Sequence, residues 1–142
     1  MRNLIYILIM VLLSCTKDDT FSVVPTIEFK SISPSTAQEY IDDINIIISY
    51  TDGDGDLGEN NPDVYNLFVL DNRNGIQYRF RIPELSPNGN EIAIEGNFNI
   101  KINGSGITNS STSQQVNYDI YVTDRAGNSS NIVSTSFITI EQ

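Results

Sequence analysis

An acidic, glycine-rich segment at positions 52–63 carries the side chains best suited to chemistry. It reads DGDGDLGENNPD and contains neither lysine nor arginine. A calcium ion takes about six to eight oxygen ligands at about 2.3–2.6 Å. Alternating Asp and Gly residues let a tight backbone turn several carboxylates towards one point. The segment therefore predicts a Ca²⁺ site, and its own candidate ligands are Asp52, Asp54, Asp56, Glu59 and Asp63.

This segment can be aligned with an EF-hand loop, and the alignment also places Gly58 on position 7 and Asn60 on position 9. The three aspartates match positions 1, 3 and 5, but Leu57 stands at position 6, where an EF-hand has glycine. Asp63 stands at position 12 in place of the longer glutamate, and a predicted strand precedes the loop. The segment is therefore not an EF-hand, and its last ligands stay open. The alternative is a solvated turn whose Asp-Gly pairs only reverse the chain.

A sixth carboxylate, that of Asp124, is expected beside the acidic segment. In an immunoglobulin-type strand order, the loops after the second, fourth and sixth strands share one end of the sandwich. Segments 83–90 and 124–128 would then border the acidic loop. Asp124 is therefore a further candidate metal ligand, and Asn128 could add a side-chain carbonyl. The alternative is that Asp124 caps a local turn.

The composition excludes several classes of function. The 142 residues include 18 acidic and 8 basic side chains, and the formal charge is −10. Nucleic acid is not an expected partner, because phosphate contacts need a basic stripe. The absence of histidine removes the commonest general base and every His-assisted nucleophile. The chain is not expected to be an enzyme, since its one dense carboxylate cluster suits a cation better than a glycosidase pair.

The first 14 residues predict a lipoprotein signal peptide. Arg2 precedes an apolar run of ten residues at 4–13. A membrane-spanning helix needs about 20 residues and a secretory signal about 7–15, so the run fits the second. The following LLSC, which ends at Cys15, resembles a bacterial lipobox, and this cysteine is the only one in the chain. Cys15 is therefore predicted to carry acyl chains such as palmitate; the alternative is an ordinary signal peptide with an incidental cysteine.

The three residues Lys17, Asp18 and Asp19 stand directly behind the predicted lipid anchor. They resemble the export signal that sends lipoproteins of Bacteroidetes to the outer face of the outer membrane. The alternative is a polar tether. The expected organisation is a signal peptide at 1–14, a lipidated N-terminus and tether at 15–22, and one domain at 23–142. The expected location is the outer membrane, with the domain at the cell surface.

From Val23 onward the hydrophobic pattern has the period of two that is typical of half-buried strands. Turns rich in Gly, Pro, Asn and Asp separate the runs. Seven strands are predicted, at 26–32, 44–51, 64–71, 76–82, 91–102, 116–123 and 132–140. They fit a single immunoglobulin- or fibronectin-like antiparallel β-sandwich. For the polar stretch 103–115 there are two alternatives, a mobile loop or a short edge strand.

Three segments also resemble a known group of proteins: YTDGDGDLG at 50–58, YNLFVLDN at 65–72 and YVTDRAGNSSN at 121–131. They resemble small Ig-like surface lipoproteins of Bacteroidetes, a family largely without an assigned activity. The resemblance implies the fold and the location more than the function.

The residues and the resemblance together favour a non-catalytic, lipid-anchored surface module stabilised by Ca²⁺. The alternative is a glycan-binding accessory lipoprotein of a nutrient-uptake system. Its partner would be a glycan, whereas the first function leaves a surface protein as the expected partner. The lack of tryptophan and an aromatic content of 9% count against glycan binding.

Overall fold

Ten β-strands form the regular structure of the described part of the chain. The computed structural model describes residues 21–86 and 90–142, so the predicted signal peptide, Cys15, Lys17, Asp18 and Asp19 lie outside the described residues. The strands are β1 (Thr26–Ser33), β2 (Thr36–Gln38), β3 (Ile44–Asp52), β4 (Leu67–Asp71), β5 (Gln77–Phe80), β6 (Ile94–Ile102), β7 (Ser113–Val116), β8 (Tyr118–Val122), β9 (Val133–Ser134) and β10 (Ile138–Glu141). Among the described residues, no helix has the length and apolar character needed to cross a membrane.

The strands form two main sheets and one small sheet. The strand orders are β1-β3-β6, β5-β4-β8-β9 and β2-β10-β7, and every pairing is antiparallel except that of β10 with β2. An immunoglobulin-type sandwich places its A, B and E strands in one sheet and its C, F and G strands in the other. Here β1, β3 and β6 lie in one sheet, and β4, β8 and β9 lie in the other. The predicted all-β sandwich is confirmed.

The apolar side chains that alternate along the strands form one core between the sheets. Ile44, Ile46 and Ile48 of β3 are fully buried, as are Ile120 and Val122 of β8. Side chains from all three sheets join the same hydrophobic cluster. The period-two pattern therefore identifies the inward face of these strands, because successive side chains of a strand point to opposite faces.

The predicted last strand, 132–140, is divided into two. Its first part, β9, pairs with β8, whereas β10 pairs with β7 and β2. Thr135 lies at the division: its hydroxyl oxygen accepts the Tyr118 N–H at 3.0 Å, and its own N–H donates to the Tyr118 carbonyl at 2.9 Å. Apolar periodicity cannot show such a change of sheet.

Two other strands are shorter than predicted, because a side chain replaces main-chain pairing beyond their ends. The predicted strands 64–71 and 76–82 are seen only at Leu67–Asp71 and Gln77–Phe80. Asn66 accepts the Ile82 N–H at 2.6 Å and donates to the Ile82 carbonyl at 3.1 Å. The amide group thus holds the two chain segments together just beyond the ends of β4 and β5.

Two short strands were not predicted as separate elements. β2 pairs in parallel with β10, and β7 lies mostly within the polar stretch 103–115. For this stretch the short edge strand is therefore the correct alternative. Its first three residues are Ser113, Gln114 and Gln115, so no apolar alternation marks it.

Candidate metal centre

The alternation of β3 places Asp52 on the core side of the sheet. It is the last residue of the strand, opposite Ile94 of β6, and it is fully buried. A carboxylate in this place is unusual, because charged side chains are rarely buried unless they are paired. Asp54 and Asp56 follow at alternate positions and are half-buried.

The three aspartates bring their carboxylates together. One oxygen from each of Asp52, Asp54 and Asp56 lies within 4.8 Å of the other two. The Oδ1 atom of each is buried, and in the described part of the chain none of these three atoms has a hydrogen-bond partner. Buried polar atoms are almost always satisfied, so three such acceptors in one loop need an explanation. A cation would satisfy all three at once.

The second oxygens of two of these carboxylates are held by backbone donors. Asp52 Oδ2 accepts the Leu57 N–H at 2.8 Å, and Asp56 Oδ2 accepts the Ala126 N–H at 3.0 Å. These bonds fix how the two carboxylates are oriented. The oxygens left without donors are thus the ones that a metal ion could use.

Two glycines allow the loop to approach its neighbours closely. Gly55 has φ +72° and Gly58 has φ +103°, both in the left-handed region. A Cβ atom would lie 2.2 Å from the Ile92 carbonyl oxygen at Gly55, and 2.2 Å from the Pro83 carbonyl oxygen at Gly58. The acidic loop therefore packs directly on the connection between β5 and β6.

The loop between β8 and β9 also borders the acidic loop. Besides the Ala126 bond, the Arg125 N–H donates to the Asp56 carbonyl at 3.3 Å. The Arg125 guanidinium donates to the Gly58 carbonyl at 2.7 Å. Gly58 stands at EF-hand position 7, whose carbonyl is a metal ligand in that motif, and here this carbonyl accepts a cationic side chain. The three loops share one end of the sandwich, as their order along the chain predicts.

Asp124 lies next to the three aspartates but is not in their group. Its carboxylate oxygens accept the Asn128 N–H at 2.7 Å and the Asn128 side-chain amide at 2.8 Å. The Asp124 N–H donates to the Asn128 carbonyl at 3.0 Å, which closes the turn. The contacts of both residues are therefore those of a local cap. Ligation by Asp124 stays a prediction.

Replacing Asp124 by Ala tests whether its carboxylate completes the metal coordination. If Asp124 is a ligand, Asp124→Ala is expected to weaken calcium binding at least tenfold, about 1.4 kcal/mol. Calorimetric titration of the variant and the parent measures this ratio. Affinity equal to that of the parent would show that the acidic loop binds the ion alone.

Glu59 and Asp63 also lie outside the group of three. The Glu59 carboxylate accepts the Asn61 N–H at 2.9 Å, and Asp63 is exposed. The chain leaves the acidic cluster at Glu59 because the Glu59 N–H donates to the Ile82 carbonyl at 2.9 Å. The spacing alone could not show this bond, because it depends on a residue 23 positions away in the sequence.

Burial and like charges raise the pKa of two carboxyls in the cluster. Burial is the larger cause at Asp52, and with the negative charges of Asp54 and Asp56 it raises the pKa from 3.8 to about 6. The pKa of Asp56 is also raised, first by burial and then by the charges of Asp124 and Asp54. The site therefore resists carrying its full negative charge without a counter-ion.

The raised pKa of Asp52 predicts opposite pH dependences with and without calcium. In the cation-free protein, the folded pKa of about 6 lies above the ordinary 3.8. Protonation of Asp52 therefore adds stability as the pH falls from about 6 to about 4. Calcium needs the ionised carboxylate, so its affinity is expected to fall about tenfold between pH 7.5 and 5. Thermal melts in EDTA and calorimetry at both pH values check the two signs; a calcium affinity that does not change would contradict ligation by Asp52.

The sequence analysis named the acidic residues but missed the groups that orient them. These are the backbone N–H groups of Leu57 and Ala126 and the guanidinium of Arg125. Only the position of Arg125 directly after Asp124 could have suggested a role for it.

Comparison of the chain with models of protein families, with curated proteins and with solved structures finds no match. The resemblance to small Ig-like surface lipoproteins therefore rests on the three quoted segments alone.

Proposed function

We propose that this chain is a non-catalytic, lipid-anchored module of the cell surface whose β-sandwich is stabilised by a calcium ion. Two observations carry the proposal: Asp52, Asp54 and Asp56 each have a buried Oδ1 without a hydrogen-bond partner, and one carboxylate oxygen of each lies within 4.8 Å of the other two. Ca²⁺ is the favoured ion, because the three offered ligands are carboxylate oxygens and nothing softer.

Burial of the inward oxygens favours a structural role for the ion. Asp52 is fully buried, and the acidic loop is packed under the β5–β6 connection and beside the β8–β9 loop. An ion held there would contact the protein on several sides. Because its binding requires all three loop carboxylates in place, calcium would stabilise the folded state relative to the unfolded chain.

Calorimetry and melting curves test the proposal. Calcium is titrated into the mature chain, residues 15–142, with Cys15→Ser to remove the anchor, and the same protein is melted in EDTA and in excess Ca²⁺. A calcium concentration 100 times the dissociation constant is expected to add about 2.7 kcal/mol of stability. Magnesium at the same concentration serves as a control for general charge screening. The proposal fails if calcium produces neither binding heat nor a higher melting temperature.

The proposed anchor predicts a change of location when Cys15 is replaced. Cys15→Ser is expected to move the protein from the membrane fraction to the soluble fraction, because the acyl chains are lost. Fractionation without detergent and immunoblotting measure this. A matched variant with Ala at Lys17, Asp18 and Asp19 should stay in the membrane but resist protease added to intact cells. Continued membrane binding of Cys15→Ser would contradict lipidation.

Glycan binding stays the alternative, because Tyr40, Tyr65 and Phe137 are exposed; one further aromatic pair is occupied by its own stacking. Phe68 and Tyr121 stack on each other across β4 and β8, with ring centroids 4.8 Å apart and planes 18° apart. Each ring therefore covers one face of the other, and a sugar needs such a face to stack on. A glycan array probed with the same purified protein tests this alternative.

A further inference from the structure

The segment that leads from the N-terminus into β1 lies directly on the acidic loop. The Gly53 N–H donates to the Ser22 carbonyl at 2.8 Å. A Cβ atom on Gly53 would lie 2.3 Å from the Phe21 carbonyl oxygen and 2.8 Å from that of Ser22. Gly53 separates Asp52 from Asp54, so the contact falls between two of the proposed calcium ligands.

The direction of β1 explains this contact. Thr26, at the start of β1, pairs with Thr51, one residue before Asp52. The chain must therefore enter the domain at the end that carries the acidic loop. Residues 21–25 cross this end before the β1 ladder begins.

Among the described residues, few other hydrogen bonds hold residues 21–24 in place. Pro25 is buried, but Val23 is 57% exposed and Val24 is 40% exposed. The Val24 N–H donates to the Ser22 hydroxyl oxygen, which is a bond within the segment itself. The position of the segment thus depends largely on the surface that the loop offers at Gly53.

We propose that calcium bound in the acidic loop clamps residues 21–24 to the domain and that loss of calcium releases them. This inference rests on the proposed function. Without a cation, the three carboxylates repel one another, and this repulsion favours an open loop. With the ion bound, the peptide of Gly53 is held between two ligands, and its N–H stays aimed at Ser22. Because coupling between two binding events is reciprocal, docking of the segment strengthens calcium binding by the same factor.

The clamp would set how far the domain stands from its anchor. Four released residues, 21–24, add about 14 Å to an extended tether, at about 3.4 Å per residue. The acidic loop is then the end of the domain nearest the lipid, and calcium controls the reach and orientation of the module.

Chymotrypsin tests the clamp, because Phe21 offers it a cleavage point within the segment. The mature chain, residues 15–142, with Cys15→Ser is digested in excess Ca²⁺ and in EDTA, and the products are followed by mass spectrometry. Cleavage of the bond between Phe21 and Ser22 is expected to be about fivefold slower or more in calcium. Tyr40, which is 70% exposed and packs on Gly104 and Gly106, serves as the internal reference whose cleavage should not change.

Gly53→Ala removes the contact with little other change. The three nearest atoms to the added Cβ all belong to Phe21 and Ser22, and Gly53 does not need a positive φ. The variant is expected to bind calcium more weakly than the parent and to lose the protection of Phe21. Ser22→Ala keeps the carbonyl that accepts the Gly53 N–H and loses only the bond within the segment to Val24, so its calcium affinity and its protection of Phe21 should match those of the parent. A chain that starts at Val23 gives a second measurement, because it should show the same weaker calcium affinity as Gly53→Ala.

The outcomes separate this inference from the function on which it rests. If the parent binds no calcium, the proposed function and the clamp are both wrong. If calcium binds but the rate of cleavage after Phe21 is the same in calcium and in EDTA, only the clamp is wrong. Equal protection of Phe21 in Gly53→Ala and in the parent also overturns the clamp.

Discussion

Asp54→Ala is expected to lose at least a hundredfold in calcium affinity, about 2.7 kcal/mol. The reason is that Asp54 supplies one of the three grouped carboxylates and one of the three buried oxygens without a hydrogen-bond partner in the described acidic loop, so its loss leaves two carboxylates to hold the ion. The same change removes a like charge beside Asp52. In EDTA the variant should therefore melt at or above the temperature of the parent, whereas in calcium it should melt below it.

Asp63→Ala is the matched control for this prediction. It removes the same charge from the same segment, but Asp63 is exposed and stands apart from the group of three. Calorimetric titration of the two variants and the parent should show a large loss for Asp54→Ala and a small one for Asp63→Ala. Equal losses would mean that calcium is attracted only by the total charge, and ligation by the three aspartates would then be wrong.

Asp71→Ala is expected to lower the free energy of unfolding by about 3–5 kcal/mol, because it leaves a buried guanidinium without its counter-ion. The side chains of Arg73 and Asp71 are 8% and 0% exposed, and they form a two-point ion pair with distances of 2.7 Å and 3.0 Å. Arg73 also donates to the Gly106 carbonyl and the Ser105 hydroxyl, both at 2.9 Å. The pair thus joins the β4–β5 turn to the connection between β6 and β7.

Glu28→Ala is the comparison for Asp71→Ala. It breaks the ion pair of Glu28 with Lys30, whose side chains are 70% and 46% exposed, and solvent screens such a surface pair. Urea unfolding of both variants measures the difference. A double variant, Asp71→Leu with Arg73→Met, should recover part of the loss, because no unpaired charge is then left in the interior. If Asp71→Ala costs no more than Glu28→Ala, burial of the pair is not what stabilises this end of the domain.

The sequence by itself determined the strands whose apolar residues alternate and the three carboxylates that come together. The predicted inward faces are observed in β3, from Ile44 to Tyr50, and in β8, from Tyr118 to Val122. The reason is that successive side chains of a strand point to opposite faces of the sheet. The grouping of Asp52, Asp54 and Asp56 is equally local, since five consecutive residues with two glycines can form one turn.

Only the tertiary structure decided which distant residues meet this loop. Glu59 turns towards Ile82, and Ser22 bonds to Gly53. The burial of Arg73 with Asp71 likewise depends on Ser105 and Gly106, more than 30 positions away, although the sequence around Arg73 indicates an ordinary turn. These features depend on hydrogen bonds between separate parts of the chain. The type of a residue and its spacing from its neighbours do not identify its partner in such a bond.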